Sequence, residues 1–291
     1  MQSSKKFQNS PGLASKGLSF AFFGYDYFDA PTNMAIDETL KKLSEQTGLA
    51  FIRFYSFSKP AIILSISDSI KCLKQGYGSS NDIEVTRRQS GGKPIYVDEN
   101  VLAYSISGPT STSQTKDFGS MDFVHRYFGS RASLAIAKYS GSDNIETGEV
   151  YSIKAMGKPL AGHAQNPTIG KSFFYHGVIA MRAWNFERIN RLLRMRPGDY
   201  DELKILPSVE SISAETRGTF DLEHAKSDLA KELLAQISEG NYQGMGDEEK
   251  KKVLDSARML ADSKYRNEEW IKNGNGGTLR EDSAFCLLYT G

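Results

Sequence analysis

The sequence predicts an α/β fold. Three observations carry that expectation: a window of helical spacing near the start runs into a continuously apolar strand segment, a second helical window is followed by three strand-like segments, and two long charged-faced helical stretches come after them. At 291 residues, 39% of them hydrophobic, with a mean hydropathy of −0.44, the chain holds enough apolar material for a core. It also sits slightly above the usual single-core limit, so one large domain or a domain with an appendage are both allowed.

In chain order, residues 1–17 are rich in Ser, Lys, Gln and Gly without apolar periodicity and read as a disordered leader. From Asn33 to Leu43, Ile36, Leu40 and Leu43 recur at helical spacing, with Asp37 and Glu38 expected in an early turn where the helix dipole favours acids. Phe51 to Ser67 alternates, then becomes continuously apolar at Ala61-Ile62-Ile63-Leu64, as suits a strand buried on both faces; Lys59-Pro60 marks the turn into it. Ile83–Arg87 and Pro94–Ile106 read as a strand pair flanking a Gly-Gly turn. Ser107–Gly119 is long for a passive connection and is a candidate mobile lid. Phe123–Tyr139 supplies a helix, and Glu149–Ala155, Leu160–Asn166 and Phe173–Arg182 read as strands. Asp221–Ser238 and Asp247–Ser263 are helical with solvated charged faces. The Gly/Asn-rich stretch Asn273–Gly277 carries no fold assignment.

Charge and composition exclude several classes. With 36 basic and 35 acidic residues the net charge is +1, which gives no global pull toward nucleic acid. No window approaches the ~18 apolar residues needed to span a bilayer, and the N-terminus lacks a secretory h-region. A cytoplasmic protein with no membrane or nucleic-acid partner is expected. Cys72 and Cys286 form neither a metal-ligand nor a redox spacing.

The most informative stretch is Arg87-Arg88-Gln89-Ser90-Gly91-Gly92-Lys93-Pro94-Ile95-Tyr96-Val97-Asp98. Two glycines let the backbone turn through positive φ and approach a ligand, so that N–H groups can face a phosphate while Arg88 or Lys93 neutralises it. The other reading is an ordinary Gly-Gly hairpin turn with solvated basic neighbours. Taken together with Asn33-Met34-Ala35-Ile36-Asp37-Glu38, Gly157-Lys158-Pro159-Leu160-Ala161-Gly162-His163-Ala164-Gln165 and Phe174-Tyr175-His176-Gly177-Val178, the run resembles the lipoate–protein ligase family and its lipoyl and octanoyl transferase relatives. The likeness covers about residues 18–218, with a fainter echo at Lys264–Trp270.

That resemblance implies a biotin/lipoate ligase-like catalytic domain of mixed, largely antiparallel sheets with flanking helices. It would span 18–272, with 219–272 a helical extension and 273–291 a tail without a separate accessory domain. The implied chemistry is activation of lipoate or octanoate by ATP and Mg2+ to an acyl-adenylate. A lysine of a lipoyl-domain acceptor, such as a 2-oxoacid dehydrogenase subunit or a glycine-cleavage carrier protein, then takes the acyl group. If adenylation needs an accessory domain, a separate subunit must supply it.

The implied contacts are Arg88, Ser90, Gly91, Gly92, Lys93, Asp143, Gly162, His163 and His176, with Asp143 either a magnesium ligand or a turn cap. Lys93 stands where many ligases have a third glycine or an arginine. In the family a lysine directly precedes the Ile-Ala-Gly strand. Here Pro159 stands there, and Lys158 becomes the catalytic candidate, with Lys154 and Lys171 as substitutes. His176 reads as a residue near the acyl pocket or as a satisfied core histidine; His125 and His224, on predicted helices, carry no functional signal. Transferase relatives form a thioester on a cysteine in the loop before the Gly-Lys strand, and Tyr139–Thr147 holds none. That favours adenylation over ATP-independent acyl transfer from a carrier. A non-catalytic paralogue that binds lipoyl domains is a further reading, for which Pro159 speaks.

Overall fold

The computed structural model describes residues 18–74, 83–148, 151–166, 172–194, 204–217 and 219–274. In chain order these form β1 (Phe20–Phe28), α1 (Ala30–Thr47), β2 (Ala50–Phe57), β3 (Ala61–Leu64), β4 (Glu84–Arg87), β5 (Ile95–Val97), β6 (Val101–Pro109), α2 (Met121–Ser140) and β7 (Ile145–Thr147). There follow β8 (Ser152–Ala155), β9 (Lys158–Asn166), β10 (Ser172–Ala180), α3 (Phe186–Leu192), α4 (Val209–Arg217), α5 (Leu222–Ser238), β11 (Tyr242–Gly244) and α6 (Asp247–Leu260). A π-turn over Ala261–Tyr265 leads into α7 (Glu268–Asn273).

An eight-stranded sheet runs β11-β1-β2-β6-β10-β9-β8-β7, and a three-stranded sheet runs β4-β3-β5. Strand β1 is parallel to β2 and β11, and β3 is parallel to β4. The other pairings among these strands are antiparallel, so the architecture is the mixed, largely antiparallel α/β expected.

Both faces of the large sheet are covered, and the alternation along its central strands sorts them. On β2, Phe51, Tyr55 and Phe57 join α1 and the small sheet in one apolar cluster. Ile52 and Phe54 join Phe128 of α2 and Leu229 and Leu233 of α5 in the other. Every residue of β2 is buried, Arg53 and Ser56 included, so its alternation separates two covered faces and not a core face from a solvent face.

Helix α1 begins three residues before the apolar spacing does. Asp29 caps it by accepting from the Thr32 amide at 2.8 Å, and Pro31 sits in the first turn, where its missing N–H costs nothing. Asp37 and Glu38 therefore lie well inside the helix and not in its first turn, and they are held by side chains instead of by the dipole.

Two further expectations change. Strands β4 and β5 do not pair with each other; β3 lies between them, so Ser90-Gly91-Gly92 is a crossover across the end of β3 and not a hairpin turn. The segment after β6 is anchored: Phe118 is buried and packs on Phe128 at 5.7 Å and Phe173 at 5.0 Å. Freeing that ring would expose a side chain whose burial is worth about 1.5–3 kcal/mol, which argues against a mobile lid. No helix among the described residues is long and apolar enough to cross a membrane.

Candidate functional site

The paired arginines at the end of β4 do different work. Arg87 donates from Nη1 to the carbonyls of Ser65 (2.6 Å) and Asp68 (2.7 Å), and from Nε and Nη2 to the Ile271 carbonyl (3.0 and 2.6 Å). The Trp270 indole N–H returns a bond to the Arg87 carbonyl at 3.0 Å. Arg87 thus ties the root of the glycine loop to the C-terminal end of α7.

Arg88 turns the other way and organises the loop itself. Its Nε donates to Ser90 Oγ (3.0 Å), Nη1 to the Ile63 carbonyl (3.1 Å), and Nη2 to the carbonyls of Gly91 (2.6 Å) and Lys93 (2.9 Å). Gly92 has φ 99°, and a Cβ there would lie 2.8 Å from Arg88 Nη2, so both conformation and space require glycine. The Gly91 amide is already spent on the Gln165 carbonyl at 3.2 Å. It is not a donor facing a ligand.

Beside the loop, where the two sheets and α1 meet, lies a cavity with about 560 Å³ of open space, its mouth included. Met34, Tyr55, Phe57, Ile63, Ile95 and Val178 give it apolar walls. Arg88, Gly92 and Lys93 form one end, and Gly162, His163, Ala164, His176 and Gly177 from β9 and β10 form another wall. No acidic side chain among the described residues lines it.

His176 is tightly held. Its Nε2 lies 2.6 Å from Ser90 Oγ, and its Nδ1 lies 3.9 Å from Asp37 Oδ2. Because Ser90 Oγ accepts from Arg88, its own proton is free to go to Nε2, which leaves the His176 proton on Nδ1 facing the carboxylate. Burial, reinforced by the Arg88 charge, pushes the His176 pKa down to about 3. Behind it, Asp37 accepts from Arg53 (3.2 Å), Ser105 (2.6 Å) and Tyr55 (3.1 Å), and Arg53 also grips Asn33 Oδ1 at 2.7 Å. The Asn33–Glu38 motif is therefore the floor beneath the cavity, fixing the Tyr55 ring that lines it.

On β9, His163 Nε2 meets Tyr104 Oη at 2.6 Å, and its ring stacks on Tyr175 at 5.0 Å. Burial, then repulsion from His125 and His176, drives its pKa well below the usual histidine value. His125, which its helix gave no role, backs this wall: its ring lies 5.7 Å from that of His163 and bonds to Tyr175 Oη and the Gly148 carbonyl. Both cavity histidines are neutral at ordinary pH.

Of the residues singled out in sequence, Arg88, Gly92, Lys93, Gly162, His163 and His176 converge on the cavity, and Ser90 lies just behind it. Asp143 is exposed on the turn after α2 and does not line it. Lys158 is exposed at the β8–β9 hairpin, and Pro159 is buried opposite Lys154, with a one-residue bulge before Ala161; none of the three lines the cavity. Lys171 lies outside the described residues. Sequence reasoning passed over Tyr55, Phe57 and Tyr104, which carry no motif and are recognisable only once β2, β6 and β10 are adjacent.

An apolar slot with one positive end and no acids suits a ligand with an apolar body and an anionic head. Residues 29–234 match the family model described as the lipoyl protein ligase A/B catalytic domain. The lipoate-protein ligase LplJ of Bacillus subtilis (strain 168) is 26% identical over 246 residues, covering 83% of this chain and 70% of the relative. The crystal structure of lipoate-protein ligase A bound with ATP superposes with a TM-score of 0.69 at 15% identity, covering 88% of this chain and 100% of that one. The bi-partite lipoate protein ligase of Thermoplasma acidophilum, described with its E2 lipoyl domain, gives a TM-score of 0.66 at 17% identity, covering 91% of this chain and 99% of that one.

Proposed function

The chain belongs to the lipoyl protein ligase A/B catalytic domain family, and from that premise we propose that it activates lipoate or octanoate with ATP and passes the acyl group to a lysine of a lipoyl-domain acceptor. The observation that carries this reading is the cavity, an apolar slot closed at one end by a cationic glycine loop. A medium-chain acid fits with its tail among Met34, Phe57, Ile63 and Ile95 and its carboxylate toward the loop. The likeness to a ligase described with ATP supports a nucleotide beside it.

In the first step a carboxylate oxygen attacks the α-phosphorus of ATP, the bond to the bridging oxygen breaks, and pyrophosphate leaves an acyl-adenylate behind. In the second, the acceptor lysine amine attacks the acyl carbon, AMP departs and an amide forms with loss of one proton. Two anions meet in the first step, so fixed positive charge must offset their repulsion. Magnesium would arrive with the nucleotide, held in large part by ATP's own phosphates and water.

The archaeal relative described with its E2 lipoyl domain supports a lipoyl domain as acceptor, and its bi-partite build supports an accessory chain here as well. The catalytic unit on this reading is residues 18–272, the helical part from 219 included. The test is pyrophosphate release from purified protein given ATP, magnesium and lipoate or octanoate, with and without a lipoyl domain. Acid-dependent release is expected. Acyl transfer from a carrier protein without release would replace this reading with an ATP-independent transferase, and silence in both assays with lipoyl-domain binding retained would replace it with a binding paralogue.

A further inference from the structure

We infer that His176 is a catalytic residue of the acyl slot: its Nδ1–H donates a hydrogen bond to a carboxylate oxygen of the acid and, once the acyl-adenylate has formed, to the carbonyl oxygen on which charge gathers as the acceptor amine attacks. The inference rests on the activation reading above and names a donor within that same site.

Side chains along β10 alternate between the two faces of the large sheet. Tyr175 and Ile179 belong to the apolar cluster beneath α2, whereas Val178 packs against the cluster on the α1 side. His176 therefore turns toward α1, where the cavity lies, and forms part of its lining. His163, which pairs with Gly177, turns the other way: its ring bonds to Tyr104 and stacks on Tyr175, both in the cluster beneath α2.

Two bonds fix which nitrogen of His176 carries the proton. Ser90 Oγ accepts from Arg88 Nε at 3.0 Å and lies 2.6 Å from His176 Nε2, so the hydroxyl proton goes to Nε2 and the ring proton stays on Nδ1. Among the described residues that N–H has no acceptor within bonding distance; Asp37 Oδ2 is 3.9 Å away and already accepts from the Tyr55 hydroxyl at 3.1 Å. His163 Nδ1 also lacks a partner but is sealed inside the protein, whereas His176 Nδ1 is not sealed and its side chain keeps 10% of its surface accessible. An open donor on an otherwise apolar wall selects an occupant that brings an acceptor to it.

The donor also stands in the right place. Because Nε2 bonds to a residue of the glycine loop, Nδ1–H lies at the loop end of the slot, where the acid head sits on the reading above. The ring is uncharged at ordinary pH, so it offers both steps a hydrogen bond and not an ion pair. No proton leaves it. In the transfer step the nitrogen–carbon bond forms, the carbon–oxygen bond to AMP breaks with its electron pair going to the phosphate, and the amine proton leaves to water.

The experiment compares wild type, His176→Asn and His176→Gln in acid-dependent ATP–pyrophosphate exchange and in single-turnover transfer from octanoyl-adenylate to a lipoyl domain. Asparagine keeps an amide nitrogen near the place of Nδ1, while glutamine keeps an acceptor for Ser90 and drops that donor. His176→Gln is expected to lower kcat for exchange and the transfer rate by about 10²-fold, with KM for the acid changed less than about threefold, and His176→Asn to stay within about tenfold of wild type. In proton NMR of wild type, the His176 Nδ1 proton should move downfield when octanoyl-sulfamoyl-adenosine binds. A His176→Gln enzyme as fast as wild type, or no slower than His176→Asn, overturns the assignment and leaves activation standing. An unmoved Nδ1 proton in wild type saturated with the analogue overturns it whether or not the variants fold. A wild type silent in exchange whose Nδ1 proton still moves sinks activation and keeps His176 as the donor to the acyl group. No exchange and no binding in wild type overturns both.

Discussion

At Gly177 the space a side chain would fill is already taken. A Cβ there would lie 2.4 Å from His163 Cδ2 and 2.9 Å from Tyr104 Cε1, and both rings are buried and bonded to each other. Gly177→Ala should therefore destabilise the fold by about 1–3 kcal/mol through overpacking, measurable as a lower urea midpoint. The histidines make a second prediction. Burial holds the His176 pKa near 3, below an unfolded value of about 6.5, so its neutral form contributes stability above that value and loses it as pH falls toward 3. Proton NMR should show neither the His163 nor the His176 ring titrating between pH 5 and 8, and a midpoint near 6.5 for either would contradict the packing described. At this scale the motif residues Arg88, Gly92 and His176 were legible because glycine loops and charges advertise themselves. The partner of His163 was not, because Tyr104 sits 59 residues away in sequence.

Between elements, a cluster of polar contacts on Glu38 joins α1 to the C-terminal segment. Glu38 accepts from Lys264, Lys42 and Tyr265, each at 2.7 Å. Burial alone would raise its pKa, but these donors overcome burial and hold it at about 2, against an ordinary 4.5. A depressed carboxylate contributes stability above its unfolded pKa and loses it as pH falls. Stability on the order of 3 kcal/mol should therefore disappear between pH 4.5 and 2 in wild type, while Glu38→Gln should lack that component; urea midpoints across this window are the check. Element boundaries followed local pattern closely for α2 and α5, whose apolar faces repeat without interruption. The start of α1 was missed because Ala30-Pro31-Thr32 has no apolar spacing. The pairing of β4 with β5 was misread because two strands flanking glycines look the same whether they pair with each other or with a third. Strand β11, three exposed residues, leaves no apolar trace at all.

Taken whole, the molecule places its cavity where two sheets and α1 converge, and that position explains which half of the site could be read in advance. The polar end comes from one continuous stretch, residues 88–93, and is written locally. The apolar walls come from α1, β2, β3, β5 and β10, so they emerge only from topology. The lock between Arg87 and α7 also bears on how the protein is made. The carbonyls that receive its Nε and Nη2 lie 183–185 residues downstream, and a ribosome adding about 5–20 residues per second needs roughly 9–37 s to reach them. During that interval a nascent chain can already have its central strands while the root of the glycine loop still lacks the helix that braces it. The bracing of the glycine loop's root by α7 thus waits until residues 270–272 have been made.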